Sequence, residues 1–333
     1  MWRGFVELYW SAEEGDNKME PKPLFSIVIP VYKNEANLPI TIPYIIDNLN
    51  LFPDYNVELV LVNDGSPDNS YEIMKQYQKK YPKLIRIANL TRNFGQSAAM
   101  RCGMEMAKGD VIGIISADLQ DPFELFVDML KEWKNNYKFV IATRAEREEK
   151  GLSVVCSKIF HHLVNQHINN NYPVGGFDFF LIDRVVKDRY ISMDRVPSSS
   201  QLLLLWMGYN HKEIKYIRKV RKIGKSGYNL ASKIDVAIRI FVSWTDYPIK
   251  TILFLGIFLV VAGFLGCMVD IIFLLFFSIN LCMIADITLI LCIFVGMLMA
   301  ALGLVGEYIW RVFELNKQFP RYLIDDIVED VKE

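Results

Sequence analysis

The sequence predicts an α/β fold, a mixed or parallel doubly wound sheet, followed by membrane-associated helices. Three observations predict it. Short β-rich runs alternate with helical patterns from Phe25 to Thr143, the pattern of strands joined by helical crossovers. Polar clusters at Tyr32–Glu35, Asn63–Asp68 and Ser116–Asp121 each follow one of those runs. In such a sheet the carboxyl ends of parallel strands share one edge, where ligands bind. Beyond Tyr247 the chain turns strongly apolar, with two runs long enough to span a bilayer core.

Residues 1–23 carry Glu7, no long apolar core and a polar, proline-containing stretch. They read as a loose arm without a signal peptide. Phe25 to Val31 is the first strand. Tyr32-Lys33-Asn34-Glu35 is a loop, and an irregular helix interrupted by Pro39 and Pro43 runs on to Asn50. Val57 to Val62 is the second strand, ending in the turn-forming cluster Asn63-Asp64-Gly65-Ser66-Pro67-Asp68, with Asp68 as the N-cap of a helix over Tyr71–Tyr81. Leu84 to Leu90 is the third strand. Gly95 to Lys108 is a helix of small residues, stopped by Gly109. Val111 to Ile115 and Phe139 to Thr143 are the fourth and fifth strands.

Between those two strands lies Ser116-Ala117-Asp118-Leu119-Gln120-Asp121-Pro122. Pro122 is expected to open a helix running to Trp133. Carboxylates and an amide at a strand-to-helix junction suit Mg²⁺ or Mn²⁺, which bind through one or two carboxylates plus a ligand's phosphates. An acidic turn with a helix N-cap fits the heptapeptide equally well.

His161, His162 and His167 fall on a helical stretch, Leu152 to Ile168, at spacings that do not share a face. They read as ordinary packed or solvated histidines. Val174-Gly175-Gly176-Phe177-Asp178 is a glycine turn before the apolar stretch Phe179–Ile182, and Gln201 to Gly208 reads as a buried helix. Lys212 to Lys225 is a basic run containing Arg218, Arg221 and Lys225. It fits a belt attracted to anionic headgroups or a phosphate clamp made flexible by Gly224-Lys225-Ser226-Gly227. Residues 229–248 carry Leu230, Ile234, Ile238 and Phe241 at helical spacing, which suits an interfacial amphipathic helix or one packed on the domain.

Residues 249–308 hold the two apolar runs, Ile249–Phe277 and Ile287–Gly306. Lys250 precedes the first, and Arg311, Lys317 and Arg321 follow the second. The connector near 278–284 has neither Lys nor Arg. The positive-inside rule then predicts a hairpin with both outer ends, and the tail 309–333, in the cytoplasm. Asp270 and Asp286 are either functional charges within the spans or, if the first span ends near Val269, residues at the far interface. Glycines 256, 263, 266, 296 and 303 permit close helix contact and a homo-oligomer. The net charge of −1 carries no nucleic-acid signature, and the five cysteines show no metal-finger spacing and no disulfide framework.

FSIVIPVYKNEANL, VNDGSPDNS, LTRNFGQSAAMRCGMEMAKGD, SADLQDPFE, ATR, DFFLIDR, RKIGKSGYNL and GEYIWRVFE occur in that order. The chain resembles, from about Phe25 to about Tyr322, the polyisoprenyl-phosphate glycosyltransferases of glycosyltransferase family 2, bacterial relatives of dolichol-phosphate mannosyltransferase. The resemblance implies a GT-A, Rossmann-like domain (residues 24–228). It implies inverting transfer of a sugar from a nucleotide-sugar donor to a membrane polyprenyl phosphate, with Mg²⁺ or Mn²⁺, on the cytoplasmic face of a bacterial inner membrane.

By position, Pro30, Tyr32 and Asn34, with Glu35 beside them, are implied to line the nucleotide site, and Asp64 to contact the nucleotide. Ser116 and Ala117 border the donor. Asp118 and Gln120 hold the metal, Arg144 and Arg221 touch diphosphate or sugar, and Lys225 assists. Gly175, Gly176 and Asp178 lie near the acceptor face. Ser116 stands where the family has Asp, Asn63 where it has the first of two Asp, Gly227 where it has Lys, and Phe180 where it has Arg. A processive synthase is disfavoured because Trp206 follows Leu202–Leu205 rather than a Q-x-x-R-W element. A non-catalytic membrane scaffold is the reading that Ser116 and Asn63 would favour.

Overall fold

The structure, a computed structural model, describes residues 21–144, 164, 166, 172–173, 177–193, 199–218, 254, 283–316 and 320–329. The expected helix over 152–168 with its histidines (164 and 166 apart), Arg221, Lys225, the amphipathic segment 229–248 and most of the first apolar run lie outside them.

The five expected strands form: β1 (Leu24–Val31), β2 (Asn56–Asn63), β3 (Ile85–Leu90), β4 (Val111–Ile114) and β5 (Phe139–Arg144). Three more join them, β6 (Phe180–Asp183), β7 (His211–Tyr216) and β8 (Ile324–Val328). The sheet runs β7-β5-β6-β4-β1-β2-β3-β8. It is mixed rather than wholly parallel: β6 lies antiparallel between β4 and β5, and β8 pairs antiparallel with β3.

Strand β1 is central because it is apolar on both faces, as a strand covered on both sides must be. Phe25, Ile27, Ile29 and Val31 pack into one core beside Leu38, Ile42, Phe123 and Phe126. Val28 packs into the other with Met100, Cys102, Phe180 and Leu204. The first core is covered by α1 (Leu38–Asp47), α2 (Ser70–Lys80) and α4 (Leu125–Lys134). The second is covered by α3 (Gln96–Met106), α5 (Arg184–Ser192) and α6 (Ser200–Trp206). Small residues let α3 approach the sheet: a Cβ on Gly103 would stand 2.2 Å from Val28 Cγ1.

Two expected boundaries shift. Pro122 does not open α4; it precedes a turn, and the helix starts at Leu125. The basic run, given no secondary structure from sequence, begins within β7, where Glu213 and Lys215 alternate with Ile214 and Tyr216. The expected two-helix hairpin is not seen: most of its first arm lies outside the description. The second run sits within one helix, α7 (Met283–Asn316), of 34 residues. Many of its side chains, including 283–290, are outside the described positions. Among those described, no helix is long and apolar enough to cross a membrane.

Gly65 is where backbone conformation and packing both demand glycine. Its φ is +59°, and a Cβ there would lie 2.3 Å from the Arg92 carbonyl carbon. Backbone cannot swing aside as a side chain can. Gly65→Ala is expected to cost about 2 kcal/mol and to lower the thermal midpoint by roughly 5 °C, measured by scanning calorimetry. An unchanged midpoint would show that the 64–66 turn is not fixed against residues 92–93.

Candidate active site

Parallel pairing places the ends of β1, β2 and β4 on one edge: Val31 opposes Asn63, and Val28 opposes Ile114. The acidic turn follows β4. The Ala117 carbonyl accepts from Thr41 Oγ1 of α1 at 2.7 Å. The Gln120 amide donates to Asp118 Oδ1 at 3.3 Å, and Leu119 turns through φ +51°, a conformation rare for a branched residue. Ser116 Oγ lies 2.8 Å from Asp118 Oδ1 and 2.9 Å from Asp121 Oδ2. One hydroxyl proton serves only one carboxylate at a time, so the turn holds more acceptor oxygens than its own hydroxyl satisfies.

Asp121 is only 1% exposed. Its Oδ1 accepts a short hydrogen bond from the Tyr216 hydroxyl at the end of β7 and faces Arg218 Nε at 3.4 Å. Arg144, at the end of β5, hydrogen-bonds Tyr216 and pairs with Asp178 at 3.4 Å. Gln201 of α6 donates to the other Asp178 oxygen at 3.2 Å. An unbroken polar chain thus runs from Asp118 through Ser116, Asp121, Tyr216 and Arg144 to Asp178 and Gln201.

Burial, then the Asp121 charge and hydrogen bond, push the Tyr216 phenol above its ordinary range, so it stays a donor. Burial pulls the Arg144 guanidinium down, but Tyr216, Asp178 and Asp121 more than offset this and its pKa rises. Arg144 therefore stays charged at neutral pH.

Residues expected to bind nucleotide divide into two groups. Tyr32 is 40% exposed and Pro30 half-buried on β1, both open to a ligand. Others are committed to scaffolding. Asp64, 3% exposed, accepts from the Phe94 and Gly95 amides at 2.7 and 3.0 Å. Burial raises its pKa, and those two amides and Arg92 pull it back. Glu35 accepts from Asn69 N and Nδ2, and Asn34 N donates to Ser70 Oγ, fastening the β1 loop to the start of α2. Asp64 and Asp118 share the sheet edge, but no described contact joins them.

Tyr216 and Gln201 were not singled out by sequence reasoning as site residues, and Arg218 was read only as part of the basic run. The signal available was weak: a tyrosine closing an alternating strand, and the first arginine after it. Next to the Asn63–Asp68 turn lies a polar cavity of about 340 Å³, lined by Asn63, Ser66, Asp68, Tyr71, Asn89 and Asp325 among others.

As a cation site the donor set is open. Asp118 is half-buried at the mouth of the turn, while Asp121 is committed to Tyr216 and Arg218. Among the described residues no three His, Cys, Asp or Glu gather to hold a metal. The Asp118 carboxylate, with the Ser116 hydroxyl beside it, fits an ion whose shell is completed by substrate phosphates.

Residues 26–190 match the model of glycosyl transferase family 2. The chain is 30% identical over 301 residues to the "Uncharacterized glycosyltransferase YkcC" of Bacillus subtilis (strain 168), spanning 90% of this chain and 93% of that one. It is 27% identical over 300 residues to the "Bactoprenol glucosyl transferase" of Shigella phage SfV, spanning 90% and 97%. Among solved structures, the mannosyltransferase PcManGT from Pyrobaculum calidifontis, in complex with GDP-Man and Mn²⁺, is similar over 74% of this chain and 71% of that chain, at 15% identity and TM-score 0.49. The mixed α/β sheet is of the GT-A-like kind, and the protein is a glycosyltransferase. It belongs to glycosyl transferase family 2.

Asp121→Asn keeps an oxygen for Tyr216 but removes the charge facing Arg218 and Arg144. Breaking a fully buried pair costs roughly 3–5 kcal/mol; the Arg218 side chain is 27% exposed, so about 2 kcal/mol is expected. Sugar transfer should fall about tenfold or more, as misplacement by a fraction of an ångström allows. Denaturant titration and a transfer assay check both; a variant as stable and active as the parent would contradict the hub role of Asp121.

Proposed function

We propose that the protein transfers a sugar, with inversion, from a nucleotide-sugar donor to a polyprenyl phosphate at the cytoplasmic face of a bacterial membrane. The observation that carries this is the acidic turn 116–121 at the sheet edge, tied through Tyr216 to Arg144 and Asp178. An anionic leaving group and an anionic acceptor need cations on both sides; the turn would hold a divalent ion on one, and Arg144 lies further along the same network. The relatives named bactoprenol glucosyl transferases support the acceptor class.

Asp118, with Ser116 beside it and Gln120 following, would hold a divalent ion, Mg²⁺ or Mn²⁺, against the donor diphosphate. When bound, that ion supplies Lewis-acid neutralisation of the leaving group. The chain's own residues do the rest. Arg144, kept charged by Tyr216, Asp178 and Asp121, stabilises developing negative charge. Asp178, gripped by Arg144 and Gln201, orients the acceptor side. A lipid phosphate oxygen is already anionic at neutral pH, so no strong general base is demanded. Exposed Leu291, Leu298, Leu302, Val305, Ile309 and Phe313 on α7 support membrane anchoring, and the bias of Lys250, Arg311 and Arg321 in the sequence supports the cytoplasmic orientation.

Membranes bearing the protein, given radiolabelled nucleotide sugars and undecaprenyl phosphate, are expected to form a lipid-linked sugar. Chelation should abolish it and Mn²⁺ or Mg²⁺ restore it. Asp118→Asn should lower transfer about 100-fold. No lipid product from any common donor, or full activity in Asp118→Asn, would overturn the reading.

A further inference from the structure

The C-terminal segment returns to the catalytic domain and adds β8 to the outer edge of the sheet. Bulges are common on edge strands, and what matters is where the bulged side chain goes. This strand is irregular at a single point. Asn89 pairs with Asp326 and Leu90 with Ile324, so Asp325 is the extra residue of a β-bulge. Bulges re-aim a side chain. Here the re-aimed carboxylate lines the polar cavity beside the Asn63–Asp68 turn.

It also ends a relay. The Ser66 amide donates to Asn63 Oδ1 at 3.3 Å, Asn63 Nδ2 donates to Asn89 Oδ1 at 2.7 Å, and Asn89 Nδ2 donates to Asp325 Oδ2 at 3.1 Å. The acceptor at Asp325 fixes which way the Asn89 amide faces, and that in turn fixes Asn63. The relay explains why an amide suits position 63. A carboxylate there would leave Asn89 between two acceptors, with donors for only one face.

Other contacts hold the strand itself. The Thr91 amide donates to the Leu323 carbonyl at 3.0 Å, Tyr71 donates to Asp326, and Arg86 binds Glu329. Ile324 and Ile327 stay exposed and Val328 packs on the edge of the core, so the strand is seated mainly by polar links.

We propose that β8 is a wall of the donor site and that Asp325 is a positioning residue for donor binding, acting through Asn89 and Asn63. This rests on the donor reading of the β1 and β2 loops given above. Donor affinity is thereby coupled to the placement of the Asp325 carboxylate against Asn89. The loss of one relay acceptor loosens the 63–66 turn against which the nucleotide lies, without touching the transfer chemistry at Asp118.

The test is isothermal calorimetry on the full chain in detergent, with UDP and GDP each in the presence of Mn²⁺, together with steady-state transfer kinetics. Asp325→Ala is expected to weaken nucleotide binding and raise donor KM by roughly tenfold, with kcat and lipid KM unchanged. Asp325→Asn, whose amide oxygen still accepts from Asn89, should recover binding to within about threefold of the parent. Asp326→Ala removes a strand-seating contact on Tyr71 and should leave donor affinity within about twofold of the parent. Parent-like affinity in Asp325→Ala, or equal weakening in Asp326→Ala, overturns the positioning role while the donor site stands. A parent protein that binds neither nucleotide overturns the donor reading itself.

Discussion

A carboxylate removed from water must be surrounded by donors or give up its charge. Asp121 is in that position, and the site is arranged around meeting its demand. Ser116, Tyr216 and Arg218 answer it from the acidic turn, from the end of β7 and from the segment beyond. Meeting that demand locks three otherwise separate pieces of chain. The acidic turn cannot rotate without losing Tyr216, and Tyr216 cannot move without releasing Arg144. The geometry that faces a substrate is therefore set by a residue that substrate need never touch.

The same economy runs through the rest of the edge. Asp64 spends both oxygens on the Phe94 and Gly95 amides, which fixes the entry to α3. Glu35 and Asp68 tie the β1 loop to α2. Acidic residues at this strand-end cleft thus hold the loops still, and Asp118, half-buried, is bonded within the acidic turn itself. A preorganised edge of this kind favours electrostatic catalysis, because fixed dipoles and charges need no rearrangement as charge develops.

Much of the fold was legible in the sequence. The six inner strands show as apolar runs, five of them read as strands and β6 only as an apolar stretch, and the turns between the first four carry Gly, Asn, Asp and Pro. The two strands with no apolar run to mark them, β7 and β8, lie at the two edges of the sheet. HKEIKY and IDDIV carry charge on a strand with one open side, so their periodicity resembles that of a loop. In the site, Ser116–Asp121 was visible because strand, acid cluster and helix follow in immediate succession. Its long-range partners were not: Tyr216 lies 95 residues from Asp121, and nothing local marks the pairing. That Asp64 meets the nucleotide is implied by the family resemblance. That its side chain also accepts from residues 94 and 95 depends on where α3 begins in space.

The central claim is that the turn 116–121 faces the donor diphosphate with Asp118 as its metal-binding carboxylate. A structure of the full chain soaked with Mn²⁺ and a nucleoside diphosphate, with the anomalous signal of manganese recorded, tests it most directly. The account predicts a manganese peak in coordination contact with Asp118, bridged to the diphosphate, and Asp121 still bound to Tyr216. A manganese peak on other residues, or a diphosphate bound away from the ends of β1 and β4, would contradict it.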